Sequence, residues 1–215
     1  MGLIFDWRSV FWFGLLAIIF VMEQNRFSYL RPAGVMDTKA VLAGEWWRLC
    51  TAVMLHKDFS HLVSNVTFGI VLLGLAMGAF GAGPALLAAF LAGVGGNIAG
   101  LVIYSEIHRS LGASGMVMGA LGLLTAHSLW HFRSTVTTKQ LAGRGLLGGI
   151  LLLVLLGLNP DSDVIAHVGG FVAGVMLGSI LSWLPPELLH KPSINRLSEL
   201  FCCGLVVLTW WLALV

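Results

Sequence analysis

Apolar runs separated by short polar connections organise this chain, and several approach or exceed the ~18 apolar residues needed to cross a bilayer. The pattern predicts seven helices. The first run, Phe11 to Met22, follows Asp6, Trp7 and Arg8. No small-residue cleavage site comes after it, so a retained helix is expected rather than a removed signal peptide. The second helix runs from about His61 to Phe80, and the third follows Gly81-Ala82-Gly83-Pro84 and reaches about Tyr104. The fourth, about Ser114 to Trp130, spans only ~26 Å at 1.5 Å per residue, short for a full crossing. The loop before it, Ser105 to Ala113, is therefore expected to dip below the membrane surface, where irregular backbone is tolerated only under protein or water. The fifth helix is Leu146 to Leu158, bounded by Asn159-Pro160 and the acidic Asp161-Ser162-Asp163; the sixth starts near Ile165. Pro185, Pro186 and Pro192 break the chain, and Phe201 to Val215 forms a seventh apolar segment.

Composition supports the same class. Of 215 residues, 58% are hydrophobic and 10% charged, against roughly 25% charged in globular proteins, and the mean hydropathy is +0.92. The fold class is an all-α polytopic membrane protein, with the lipid bilayer as its first partner. A net charge of +2 gives no footing to nucleic acid as a partner. Cys50, Cys202 and Cys203 form neither a metal spacing nor a disulfide framework. The latter two read as packing residues near a membrane face, with lipidation the alternative. Met1-Gly2 does not meet the myristoylation pattern, because residue 6 is Asp.

The longest polar connection, residues 23–60, carries Arg31, Lys39, Glu45, Arg48 and Lys57 but also Trp46, Trp47, Leu49, Val53, Met54 and Leu55. So many large apolar groups predict a structured cap lying partly in the interface, where tryptophan is favoured. Its basic residues leave orientation undecided by charge. Arg8, Arg133, Lys139, Arg144, Lys191 and Arg196 fall on the side of the N-terminus, against Arg109 and five residues of the first loop on the other. A folded loop counts less, and on that ground the N-terminus is taken as cytoplasmic.

Candidate chemistry centres on Leu111-Gly112-Ala113-Ser114-Gly115-Met116-Val117-Met118-Gly119-Ala120. Ser114 falls in the first turn of a buried helix, where unpaired backbone N–H groups can stabilise an anion. A nucleophile suits that place, as does an ordinary N-cap with glycines serving helix packing. His61 and Asn65 are four apart and share one helix face, which fits either an interhelical hydrogen-bonding pair or a functional site. His167, Gly170, Gly174 and Gly178 line one face of the sixth helix, so a histidine sits above a groove that admits another backbone. In the expected topology His61, Asn65, Ser114 and His167 all lie near the same outer face. Serine with histidine as base gives a nucleophile, and a second histidine and an amide can donate to an oxyanion. Asp163, one turn before His167, either orients it or, in an exposed loop, is simply solvated or caps the helix; a dyad is the preferred reading. His127 and His131 are four apart at the other end of the fourth helix and read as structural. No His-Glu-x-x-His occurs and every Asp lies in a loop or terminus, which disfavours intramembrane metallo- and aspartyl proteases. A transporter is disfavoured by the lack of a polar path to the other side.

These residues resemble the rhomboid family of intramembrane serine proteases. The resemblance is carried by Trp47-Arg48, His56, His61-x-x-x-Asn65, Gly112-x-Ser114-Gly115 and Ala166-His167-x-x-Gly170-x-x-x-Gly174, in the family's order over roughly residues 44–182. It implies Ser114 as nucleophile, His167 as general base, and an oxyanion hole of His61, Asn65 and the Ser114 N–H. His56, Gly112, Gly115, Gly170 and Gly174 would support them. Met118 stands where many relatives place an aromatic residue against the catalytic histidine, and methionine can fill that space. The resemblance further implies a six-helix core over residues 1–184, and a linker with an appended seventh helix over 185–215. It also implies transmembrane protein substrates admitted near the first loop and fifth helix, no cofactor and no metal. A non-catalytic membrane binding or chaperone-like member of the fold, or a relative trimming C-terminal membrane anchors, is the alternative. A bacterial inner membrane is the expected location.

Overall fold

The computed structural model describes residues 4–131, 146–154 and 162–215. Helix α1, Arg8–Asn25, extends beyond the first apolar run at both ends. The first loop then folds as α2 (Leu30–Gly34), strand β1 (Met36–Asp37), α3 (Thr38–Leu42), α4 (Arg48–Thr51) and a 3-10 turn, Ala52–Met54. Two of its arginines and a threonine satisfy backbone carbonyls. Arg48 donates to the carbonyls of Pro32 and Val35, each at 2.9 Å, and to Glu45 at 2.6 Å. Thr51 Oγ1 donates to Gly34 at 2.7 Å, and Arg31 joins Glu23 to the His56 carbonyl. With these backbone carbonyls paired, the loop can bury Val53, Met54 and Leu55. It is a structured cap.

Helix α5, Phe59–Phe80, is capped by Asp58, which accepts from the His61 N–H at 2.8 Å. It ends at Gly81, whose φ of +85° is left-handed and suits glycine. Helix α6, Ala82–Ile103, starts earlier than expected and takes Gly83 and Pro84 into its first turn. That is permitted because first-turn N–H groups have no intrahelical acceptor, so the proline removes nothing. Strand β2, Arg109–Ser110, pairs antiparallel with β1 in the register Met36↔Ser110 and Asp37↔Arg109. The stretch before the fourth helix is thus tied to the first loop by paired backbone at 108–110 and Gly112.

Helix α7, Ser114–His131, is the centre of the molecule, packed by α5, α6 and α9 (Val164–Trp183). Every residue from Gly115 to Leu123 is buried. Glycines set the spacing of α7 and α9: a Cβ on Gly174 would stand 2.2 Å from the Gly119 carbonyl oxygen. Residues 146–154 form α8. The rest of the predicted fifth helix to Leu158, the turn Asn159-Pro160-Asp161 and the basic connection with Arg133, Lys139 and Arg144 lie outside the described residues.

After α10, Pro186–Leu189, comes α11, Pro192–Leu214. The seventh segment therefore begins well before Phe201. Pro186 and Pro192 occupy first helical positions, where a fixed φ favours starting a helix, so they open helices rather than end them. Buried Asn195 accepts from the Gly83 N–H at 2.9 Å and donates to the Leu189 carbonyl, locking α11 onto the start of α6. Among the described residues, α5, α6, α9 and α11 are long and apolar enough to cross a membrane. Helices α1 and α7 have 18 residues each, ~27 Å at 1.5 Å per residue.

Candidate active site

Ser114 reaches its place through a controlled turn. Gly112 has a φ of +135°, and its N–H donates to the Ala52 carbonyl at 2.9 Å, tying the turn to the first loop. A Cβ at Gly112 would lie 2.5 Å from His61 Cε1, so the imidazole rests on the glycine. Two demands, the backbone angle and the ring, both require glycine here. The Val117 N–H donates to the Ala113 carbonyl at 2.9 Å. Ala113 therefore holds the cap position and Ser114 is the first helical residue, not the N-cap. Its own N–H belongs to the unpaired set of the first turn.

A cavity of about 970 Å³ opens beside it, with Ser114 and Met118 of α7, His61 and Asn65 of α5, and His167 of α9 on its walls. The four convergent polar residues expected from the sequence thus share one space. Asn65 is buried, and its Nδ2 has no protein acceptor among the described residues. His56 lies behind this wall rather than on it, fully buried with its ring edge-on to His61 at 5.5 Å. Burial, with the positive field of His61 adding, pushes the His56 imidazole down to about 3, so it is neutral in ordinary buffers. Gly115, Gly170 and Gly174 lie in the α7–α9 seam and bring no chemistry of their own. At the far end of α7, the His127 ring packs edge-on to Phe80 at 5.1 Å.

Tyr104 and His108, which the sequence reading did not single out, also line the cavity, together with Asp163. Asp163 caps α9, accepting from the Ala166 N–H at 3.0 Å, which decides for capping over the alternative of a solvated loop residue. The same Oδ1 accepts from Tyr104 Oη at 3.1 Å, and Oδ2 accepts from His108 Nε2 at 2.8 Å. Burial alone would raise this carboxyl, but the hydrogen bonds from His108, the Ala166 N–H and Ser110 outweigh it and hold the carboxyl below its ordinary range. Burial and the Asp163 charge raise the Tyr104 phenol. His108 and Asp163 are 55 residues apart. No local spacing could pair them; the one sequence signal was an acidic residue just ahead of the sixth helix.

Four helices long and apolar enough to cross a membrane, two of which line the polar cavity, define an integral multi-pass membrane protein. The family model for the rhomboid domain matches residues 43–184, and the chain belongs to the rhomboid family. It is 34% identical over 160 residues to RHOMBOID-like protein 6, mitochondrial, of Arabidopsis thaliana, covering 74% of this chain and 51% of that one. It is 30% identical over 174 residues to the Rhomboid protease GluP of Bacillus subtilis, covering 77% and 33%. To the Rhomboid-type serine protease 2 of Emericella nidulans it is 27% identical over 172 residues, covering 77% and 32%. The chain thus spans about half the length of the plant relative and about a third of the other two. Plant, bacterial and fungal relatives, one of them named as mitochondrial, lend no support to the expected bacterial inner membrane.

Proposed function

We propose that this rhomboid is an intramembrane serine endopeptidase, with Ser114 as nucleophile and His167 as general base. One observation carries the reading: Ser114, at the first position of a buried helix, shares a cavity with His61, Asn65 and His167. A transmembrane substrate segment unwinds beside the bundle and presents its scissile carbonyl to Ser114. His167 takes the serine proton as the ester bond forms, then returns it to the leaving amine. Water attacks the acyl-enzyme, again through His167, and releases the new carboxylate. Charge developing on the carbonyl oxygen is met by the Ser114 N–H, His61 and the unpartnered Asn65 amide, each such donor worth ~10²–10³ in rate. His167 relays each proton, from Ser114 to the leaving amine and then from water back to Ser114, so the sequence runs without a cofactor. One relative named a rhomboid-type serine protease and another named a rhomboid protease support the assignment.

The test is labelling of the detergent-purified chain by a fluorophosphonate probe, which needs an activated serine but no known substrate. Wild type labels, and Ser114→Ala and His167→Ala do not. A folded wild type that neither labels nor cleaves a generic transmembrane substrate transfers the assignment to a non-catalytic binding role. Trimming of C-terminal membrane anchors is distinguished by offering substrates whose final helix ends the chain.

A further inference from the structure

Resting on that reading, we propose that Tyr104 and His108 are positioning residues: by gripping Asp163 they fix the helix that carries His167 against the strap that carries Ser114. The strap is the stretch 108–113. On its outer side it is bound to the first loop at successive points. The His108 N–H donates to Thr38 Oγ1 at 3.0 Å and the Thr38 N–H to the His108 carbonyl at 3.1 Å. Strand pairing follows at Arg109 and Ser110, with Arg109 Nε donating to Asp37 at 2.7 Å. The Gly112 N–H then bonds to Ala52. Two residues after that bond comes Ser114.

On its inner side the strap holds Asp163. The Tyr104 and His108 rings are stacked at 3.9 Å between centroids, 24° apart, which restrains both donors beside Asp163. Their two bonds and the Ala166 N–H occupy both carboxylate oxygens. A helix cap needs only the last of these. The Asp163 carbonyl also accepts the His167 N–H at 3.0 Å. The residue whose side chain is gripped therefore opens the single turn that ends at His167, and any shift of Asp163 reaches His167 within one turn. Misplacing a catalytic group by about 1 Å can cost ~10²-fold in rate.

The experiment measures inactivation of the full chain in detergent by the fluorophosphonate, separating kinact from KI, with thermal unfolding in parallel. His108→Leu removes the donor; His108→Gln keeps an N–H near the Nε2 position; Asp163→Ser keeps a cap acceptor but is too short for His108. Expected are a fall in kinact of about 10- to 100-fold for His108→Leu and Asp163→Ser, KI little changed, substantial rescue in His108→Gln, and a His108→Leu/Asp163→Ser double variant no worse than either single. The proposal is overturned by a wild-type kinact in His108→Leu, by equal impairment of Leu and Gln, or by losses that simply follow lowered thermal stability. A wild type that fails to label, or labels equally in Ser114→Ala, overturns the protease reading and this proposal with it. Normal labelling of His108→Leu over an intact Ser114-dependent baseline overturns the positioning role alone.

Discussion

A Cβ added to Gly170 would stand 2.3 Å from the carbonyl oxygen of Gly115, so α7 and α9 meet backbone to backbone beneath the cavity. Ser114 precedes the first of these glycines and His167 lies three residues before the second, which makes the seam the base on which the candidate dyad stands.

Gly170→Ala forces that seam apart, because its nearest neighbour is backbone and cannot rotate away. The expected cost is about 1–3 kcal/mol of stability, with loss of fluorophosphonate labelling. Gly204→Ala on α11 is the control: it is exposed, and a Cβ there meets nothing within 4 Å. It should gain roughly 0.5–1 kcal/mol through helix propensity. Thermal unfolding of both variants in one detergent checks the contrast.

Glu23 is 4% exposed and is paired with Arg31, which also binds the His56 and Lys57 carbonyls. Arg31→Met leaves a buried carboxylate without its partner. The cost should fall at the low end of ~3–5 kcal/mol, since the Arg31 side chain is 35% exposed and water screens part of the interaction. Adding Glu23→Gln should recover part of the loss. Equal destabilisation in the single and double variants would refute an ion-pair origin.

His56 makes stability depend on pH. Its imidazole is near 3 when folded, against 6.5 at its ordinary value. Between those values the unfolded chain binds more protons, so stability falls as pH drops from about 6.5 toward 3, by a few kcal/mol on the order implied by linkage. Above 6.5 this group contributes no slope. Replacing it by leucine should flatten the acid limb of a plot of unfolding midpoint against pH. An unchanged limb would mean that other groups cause the acid sensitivity.

Asn195→Leu should loosen α11 from the α5–α6 turn. It abolishes the acceptor for the Gly83 N–H and the donor to Leu189 and Lys191. Stranding these buried groups should cost about 1–3 kcal/mol, read as a lower thermal midpoint and faster proteolysis at residues 184–192. Asn195→Asp preserves the acceptor and should lose less.

Much of the helical plan was legible along the chain, because crossing a bilayer demands long apolar runs whose length is a local property. The errors fell at ends. Along the chain Pro84 falls just ahead of a helix and Pro186 and Pro192 look like breaks, although a proline in a first turn lacks only an N–H that no helix would have used. The N-cap alternative for Ser114 failed by one residue, since cap position follows from which carbonyl accepts the first bond. Residues His61, Asn65, Ser114 and His167 could be proposed together because their spacings place them at one end of their helices.

What the sequence by itself determined is therefore the membrane class, the helices and the polar groups facing inward, all of which depend on composition and short-range periodicity. Only the tertiary structure decided what those groups touch. It laid His61 on Gly112, moved His56 behind the cavity wall, and joined Tyr104 and His108 to Asp163. Contacts between residues tens of positions apart depend on how closely helices approach and which loop covers which strand. Those distances follow from packing of the whole bundle around α7, and no local pattern encodes them.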